Sequence, residues 1–138
     1  MSLEGLSIWD RVETHGPTFS DKTVSLLLYH LLTLIDGIHK QSVVHGDIHL
    51  GNIVESKNEE KTRLILLDFG ATEKFRKAVV HRDIEQMFTN LKLIGPNHRR
   101  LGILHDQWKE NRDVDLEFVI AAAKDEDEFD ETAKFDWE

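Results

Sequence analysis

No cysteine occurs anywhere in this chain of 138 residues. Disulfides and thiolate-bound zinc are therefore excluded, and nothing points to an oxidising compartment. Positive charge is also in short supply. Seventeen Lys and Arg stand against 26 Asp and Glu, a net charge of -9, and such a field repels phosphate backbones and anionic lipid surfaces. Neither nucleic acid nor a membrane is an expected partner. A long apolar run is missing too: the richest stretch, Val24 to Ile35, is interrupted by Tyr29, His30 and Thr33 and falls short of the ~20 residues a membrane helix needs. Residues Met1 to Gly5 hold no basic region ahead of an apolar run, so no signal peptide is expected. A soluble intracellular protein, cytoplasmic or nuclear, is the expectation. The length suits one compact domain, placed over residues 1–123, with an acidic tail over 124–138.

The pattern that is present is mostly helical. Leu6, Ile8, Trp9 and Val12 mark a short amphipathic helix over 6–14, a lid or flank, which His15-Gly16-Pro17 breaks. Thr18 to Asp21 offer capping oxygens, after which Val24, Leu27, Leu28, Leu31, Leu34, Ile35 and Ile38 recur at helical spacing through His39. This is the expected core helix. Val43-Val44 forms an extended bridge, Asn52-Ile53-Val54 runs into the polar turn Lys57 to Lys61, and Leu64 to Leu67 returns as a second strand. A β-hairpin is the economical reading. A further helix is expected from Val80, with Asp83 as N-cap, Gln86 completing a capping box and Ile84, Met87, Phe88 and Leu91 facing inward. Gly95-Pro96 stops it. Two packing helices follow, over about 98–110 and 114–123. Residues 124–138 carry eight acidic residues and two lysines around Phe129, Phe135 and Trp137, a composition that predicts a solvated tail. The expected class is mainly α (α+β).

The chemistry is concentrated in two short motifs. His45-Gly46-Asp47-Ile48-His49-Leu50-Gly51-Asn52 is an H-x-D-x-x-x-x-N loop, and Asp68-Phe69-Gly70 begins sixteen residues after Asn52. Phosphoryl transfer from a nucleotide to a hydroxyl needs one carboxylate near the attacking oxygen and oxygen ligands that hold Mg²⁺ on the phosphates. Asp47, Asn52 and Asp68 are groups of that kind. A hairpin between Asn52 and Asp68 would bring the two metal-ligand candidates side by side. Singly, each is as well read as a turn residue; together, with a helix after them, they form one site.

The order of helix, H-G-D loop, hairpin, D-F-G and helix resembles the C-terminal lobe of the protein kinase superfamily over about residues 20–94. The resemblance implies Mg²⁺ and ATP as cofactors and Asp47 as the base that orients the acceptor hydroxyl. It also implies His45 as the loop's buttress, Asn52 and Asp68 as Mg²⁺ ligands, and Phe69 and Gly70 as the packing residue and turn beside the nucleotide. Asp83 is similar to the buried aspartate that supports the catalytic loop from beneath. Residues 1–44 contain no glycine-rich phosphate loop and no V-A-I-K-type lysine, so the N-terminal lobe is expected to be absent from this chain. Gly46 stands where regulated protein kinases carry arginine, which argues against control by loop phosphorylation. His49 stands in place of a lysine, and D-I-H-L-G-N is closer to aminoglycoside and choline phosphotransferases and to haspin-type kinases. No A-P-E follows Gly70, as in RIO kinases and the small kinase of the KEOPS complex, so a broad peptide platform is not expected.

Three functions follow. The first is a kinase-type lobe of the Ser/Thr type, active when complemented by an N-lobe and very weak alone. The second is a non-catalytic kinase mimic that binds a kinase or a kinase substrate, and the third a small-molecule phosphotransferase fragment. The first two call for a protein partner over the N-lobe face, or a homodimer. His30, His39, His81, His98 and His105 show no metal-ligand spacing and receive no role. His98-Arg99-Arg100 is read as a solvated helix start.

Overall fold

The computed structural model describes residues 6–56, 63–68, 74–125 and 129–138. Its helices are α1 (Ile8–His15), α2 (Asp21–Lys40), α3 (Lys77–Ile94), α4 (Arg99–Glu110) and α5 (Leu116–Lys124). Between α2 and α3 lie a 3-10 turn (Leu50–Asn52) and the strands β1 (Ile53–Glu55) and β2 (Leu64–Leu66). Among the described residues the structure is mainly helical, with one two-stranded antiparallel sheet. The polar turn expected at 57–61 lies outside the described residues, as do Phe69 and Gly70.

α2 is the centre of the molecule and packs against α3, α4, α5 and β2. Its start is set by Ser20, whose Oγ accepts from the Thr23 amide at 3.3 Å, and its apolar stripe, Val24, Leu27, Leu28, Leu31 and Ile35, is fully buried. Each such side chain contributes about 1.5–3 kcal/mol on leaving water. α1 begins with a reciprocal cap: the Asp10 amide donates to Ser7 Oγ at 3.1 Å and the Ser7 amide to Asp10 Oδ2 at 3.0 Å. Ser7 also pairs with Val54, and Ile8 is buried. The flank is thereby pinned to the hairpin.

Three expectations change. α3 begins at Lys77, with Arg76 as its N-cap, so Asp83 is not a cap but an interior residue, buried on the inward face. The Asp-x-x-Gln spacing resembles a capping box, yet both side chains serve a distant loop. Second, His98 is no solvated residue: it is buried, its Nδ1 accepts from the Leu101 amide at 3.1 Å and its Nε2 meets Ser25 Oγ at 2.7 Å. Third, residues 129–138 pack back on the domain, where charge counting predicted solvation. Phe135 is buried, and Arg63 at the start of the second strand lies over its ring at 4.1 Å. Arg63 Nη2 also reaches Glu138 Oε1 at 2.6 Å, Asp136 accepts from the Ser20 amide and hydroxyl at 2.6 Å each, and Trp137 Nε1 donates to Glu55 Oε1 at 3.1 Å. Aromatic burial outweighs the solvation preference of the acids around it. No helix of the described residues is long and apolar enough to cross a membrane.

Candidate active site

Residues 45–52 have little secondary structure of their own, so their amides need partners from elsewhere. α3 supplies them. Asp83 Oδ2 accepts from the His45 amide and Oδ1 from the Gly46 amide, each at 2.8 Å; Gln86 Oε1 accepts from the Ile48 amide at 2.8 Å; Asn90 Oδ1 accepts from the Leu50 amide at 3.2 Å. Asn90 Nδ2 returns a bond to the Ile48 carbonyl at 3.1 Å. Positions 83, 86 and 90 lie on one helical face. The loop is thus held by a rigid row of side chains.

Asp83 also receives His39 Nε2 at 3.0 Å. Burial alone would push its carboxyl up, but the bonds from His39, His45 and Gly46 prevail and hold it below the usual carboxylate range. Gly46 adopts φ +92°, a conformation side-chain-bearing residues disfavour. That turn accounts for a glycine at position 46.

His45 is fully buried. Its Nδ1 accepts from the Asp47 amide at 3.1 Å and its Nε2 lies 2.6 Å from the Leu67 carbonyl; since an amide only donates and a carbonyl only accepts, the ring carries its proton on Nε2. It ties the loop to the end of β2. Asn52 Nδ2 donates to the Asp47 carbonyl at 3.0 Å, so Asp47 is pinned at both backbone ends while its carboxylate is 64% exposed. The Asp47 carboxylate is presented outward.

His49 Nδ1 accepts from the Gly51 amide at 3.1 Å, which turns Nε2 toward Asp47 Oδ2, 3.6 Å away. A Cβ at position 51 would lie 3.0 Å from His49 Cε1, so glycine lets the ring sit this close without shifting. The hairpin register, Ile53 opposite Leu66, continues outward, with the Leu67 amide donating to the Asn52 carbonyl at 2.8 Å. Asp68 therefore leaves the sheet beside Asn52, with φ +51°, a left-handed conformation that aspartate tolerates. Asn52 Oδ1 takes no hydrogen bond among the described residues and Asp68 is exposed.

Of the sequence-predicted residues, His45, Asp47, His49 and Asn52 share one loop and Asp68 stands beside it, while Phe69 and Gly70 lie outside the described residues. Sequence reasoning missed His39 and Asn90 and misread Gln86. A polar row at positions i, i+3 and i+7, set beside the apolar face of Ile84, Met87, Phe88 and Leu91, was the available signal.

The ABC1 atypical kinase-like domain matches residues 2–126 of the chain. The chain belongs to the ABC1 atypical kinase-like family. A curated relative, the serine/threonine-protein kinase B of Synechocystis sp., is 34% identical over 71 residues. That stretch is 51% of this chain and 12% of the relative, so the chain spans only about an eighth of that protein's length. The loop of residues 45–52 and Asp68 lie inside the family match, whereas residues 129–138 lie beyond it.

Proposed function

We propose that this chain is the catalytic-loop half of a Mg²⁺-ATP-dependent phosphotransferase that acts on a hydroxyl acceptor, of the Ser/Thr protein kinase type, with Asp47 as base. The observation that carries the reading is the double pinning of Asp47 through His45 and Asn52 with its carboxylate left outward. A base that must meet an incoming hydroxyl needs a fixed backbone and an accessible oxygen. Asp47 accepts the acceptor's proton as its oxygen bonds to the γ-phosphorus and the bond from phosphorus to the departing ADP breaks.

Asn52 and Asp68 would hold Mg²⁺. The donor chemistry fits: Asn52 spends its amide nitrogen on the Asp47 carbonyl and keeps a carbonyl oxygen, Asp68 offers a carboxylate, and Mg²⁺ prefers such hard oxygen ligands. Bound there, the ion would neutralise charge on the nucleotide phosphates. Asn52 thereby has two tasks, orienting the base and ligating the ion. Phe69 and Gly70 are assigned to nucleotide binding in this reading on the D-F-G motif alone, and the brief sequence from Gly70 to Asp83 supports a likeness to small atypical kinases such as the RIO and KEOPS types. A glycine-rich loop and a phosphate-binding lysine are required from elsewhere, whether from a further part of the protein or from a second chain, since one missing electrostatic donor costs about 2.7–4 kcal/mol of barrier.

Calorimetric titration with ATP is the test. Heat that requires Mg²⁺ and disappears in Asp68→Asn is expected, with Asp47→Asn binding normally but supporting no transfer once the complementary lobe is added. Absence of nucleotide binding at any Mg²⁺ concentration contradicts the proposal and turns the reading to a non-catalytic mimic.

A further inference from the structure

A cleft of about 370 Å³ opens directly beside the candidate base, lined by Trp9, His49, Leu50, Gly51, Asn90 and Leu93. That volume lies toward the small end of ligand pockets and suits a single-ring group. The His49 ring is the shared wall: it lines the cleft, and its Nε2 stands 3.6 Å from Asp47 Oδ2.

The lining carries no carboxylate, ammonium or guanidinium, in a chain where 31% of residues are charged. The Asn90 side chain and the Gly51 amide are already committed. Asn90 gives Nδ2 to the Ile48 and Gln86 carbonyls and Oδ1 to the Leu50 amide, and the Gly51 amide is bonded to His49 Nδ1. What the cleft presents is apolar: Leu50 is buried, while Trp9 and Leu93 remain 50% and 62% exposed. The backbone that carries Trp9 is anchored just before it, where Ile8 is buried and Ser7 is paired with Val54. A half-exposed tryptophan and leucine beside the candidate base offer an apolar recognition surface.

We infer that this cleft binds the uncharged, apolar group next to the acceptor's hydroxyl, an aryl-sized group set against Trp9 and Leu93 so that the hydroxyl reaches Asp47. The inference rests on the reading of Asp47 as base. Polycationic acceptors such as aminoglycosides would need carboxylates in the lining, and it has none; choline, which an aromatic face alone can hold, is separated from an aryl group by titration.

The test is an NMR titration of the isolated chain with 2-phenylethanol as the aryl alcohol and with choline and glycerol as cationic and polar alternatives, in the absence of nucleotide. 2-Phenylethanol should shift the Trp9 indole N–H and the Gly51 amide and leave buried Trp108 unmoved. Trp9→Ala and Leu93→Asp, both at exposed positions, should each weaken the Gly51 shift at least about fivefold, the scale of losing one apolar contact surface. No shift at Gly51, unchanged affinity in both variants, or choline matching the aryl alcohol would overturn the assignment. Because nucleotide is absent, such a failure leaves the Mg²⁺-ATP reading standing, and a failed calorimetric test of that reading leaves these shifts where they are.

Discussion

The loop of residues 45–52 and the segment at 129–138 are both irregular stretches fastened to helices, but by opposite means. The loop is fastened by polar groups taken out of water: Asp83 is fully buried and accepts from two loop amides and from His39. The segment at 129–138 is fastened by Phe135 in the core and by contacts nearer the surface, Arg63 with Glu138 and Ser20 with Asp136. Buried charge-assisted bonds dictate geometry, because any misplacement leaves an unpaired charge. Apolar docking with solvated pairs supplies adhesion and little direction. The loop at 45–52 has the first kind of support, and the segment beyond the family match has the second.

That contrast can be broken first at Asp83. Replacement by alanine strands two amides and His39 and should cost about 3–5 kcal/mol, the scale for removing one partner of a buried ionic cluster; urea unfolding measures it, and the Gly46 amide should lose its hydrogen-exchange protection. A loss as small as that of a surface ion pair would erase the distinction.

Next in size is Phe135→Ala, expected to cost about 1.5–3 kcal/mol through lost burial. The loop amides of residues 45–50 should keep their protection in that variant. If they exchange freely, the two regions are coupled and the comparison fails.

Acid sharpens the same contrast. Asp83 has its carboxyl depressed on folding, so its contribution is complete above the unfolded-chain value of about 3.9 and fades as pH falls through the lower folded value. Urea midpoints should therefore hold steady from neutrality down to mildly acidic pH and then drop, and Asp83→Asn should flatten the drop. Asp136 is shifted the same way, with burial opposing and the Ser20 bonds prevailing, but its accessible position makes its share small. The least effect is expected for Glu138→Gln, within about 1 kcal/mol for an exposed pair. Thermal melts in low and high salt would measure it.

Much of the fold was legible. The leucine and isoleucine spacing of α2 declared a buried helix, and the apolar run Leu64 to Leu67 against Asn52-Ile53-Val54 declared the hairpin, because those signals are local. The loop residues were legible as a motif. What escaped was non-local: Asp83 and Gln86 match a local cap pattern, yet their partners lie 37 and 38 residues away. His39 looked like a lone helix-face histidine because its partner, Asp83, is 44 residues distant. In the C-terminal segment the count of acids hid three aromatic residues, Phe129, Phe135 and Trp137, of which Phe135 decides the packing.

The central claim is that Asn52 and Asp68 jointly hold a divalent ion on a nucleotide beside Asp47. Replacing Mg²⁺ by paramagnetic Mn²⁺ in the presence of ATP and recording amide line widths tests it most directly. Broadening centred on residues 47, 52 and 68, and abolished by Asp68→Asn, is the predicted result. Broadening spread over the acidic surface, or none at that loop, would contradict the account.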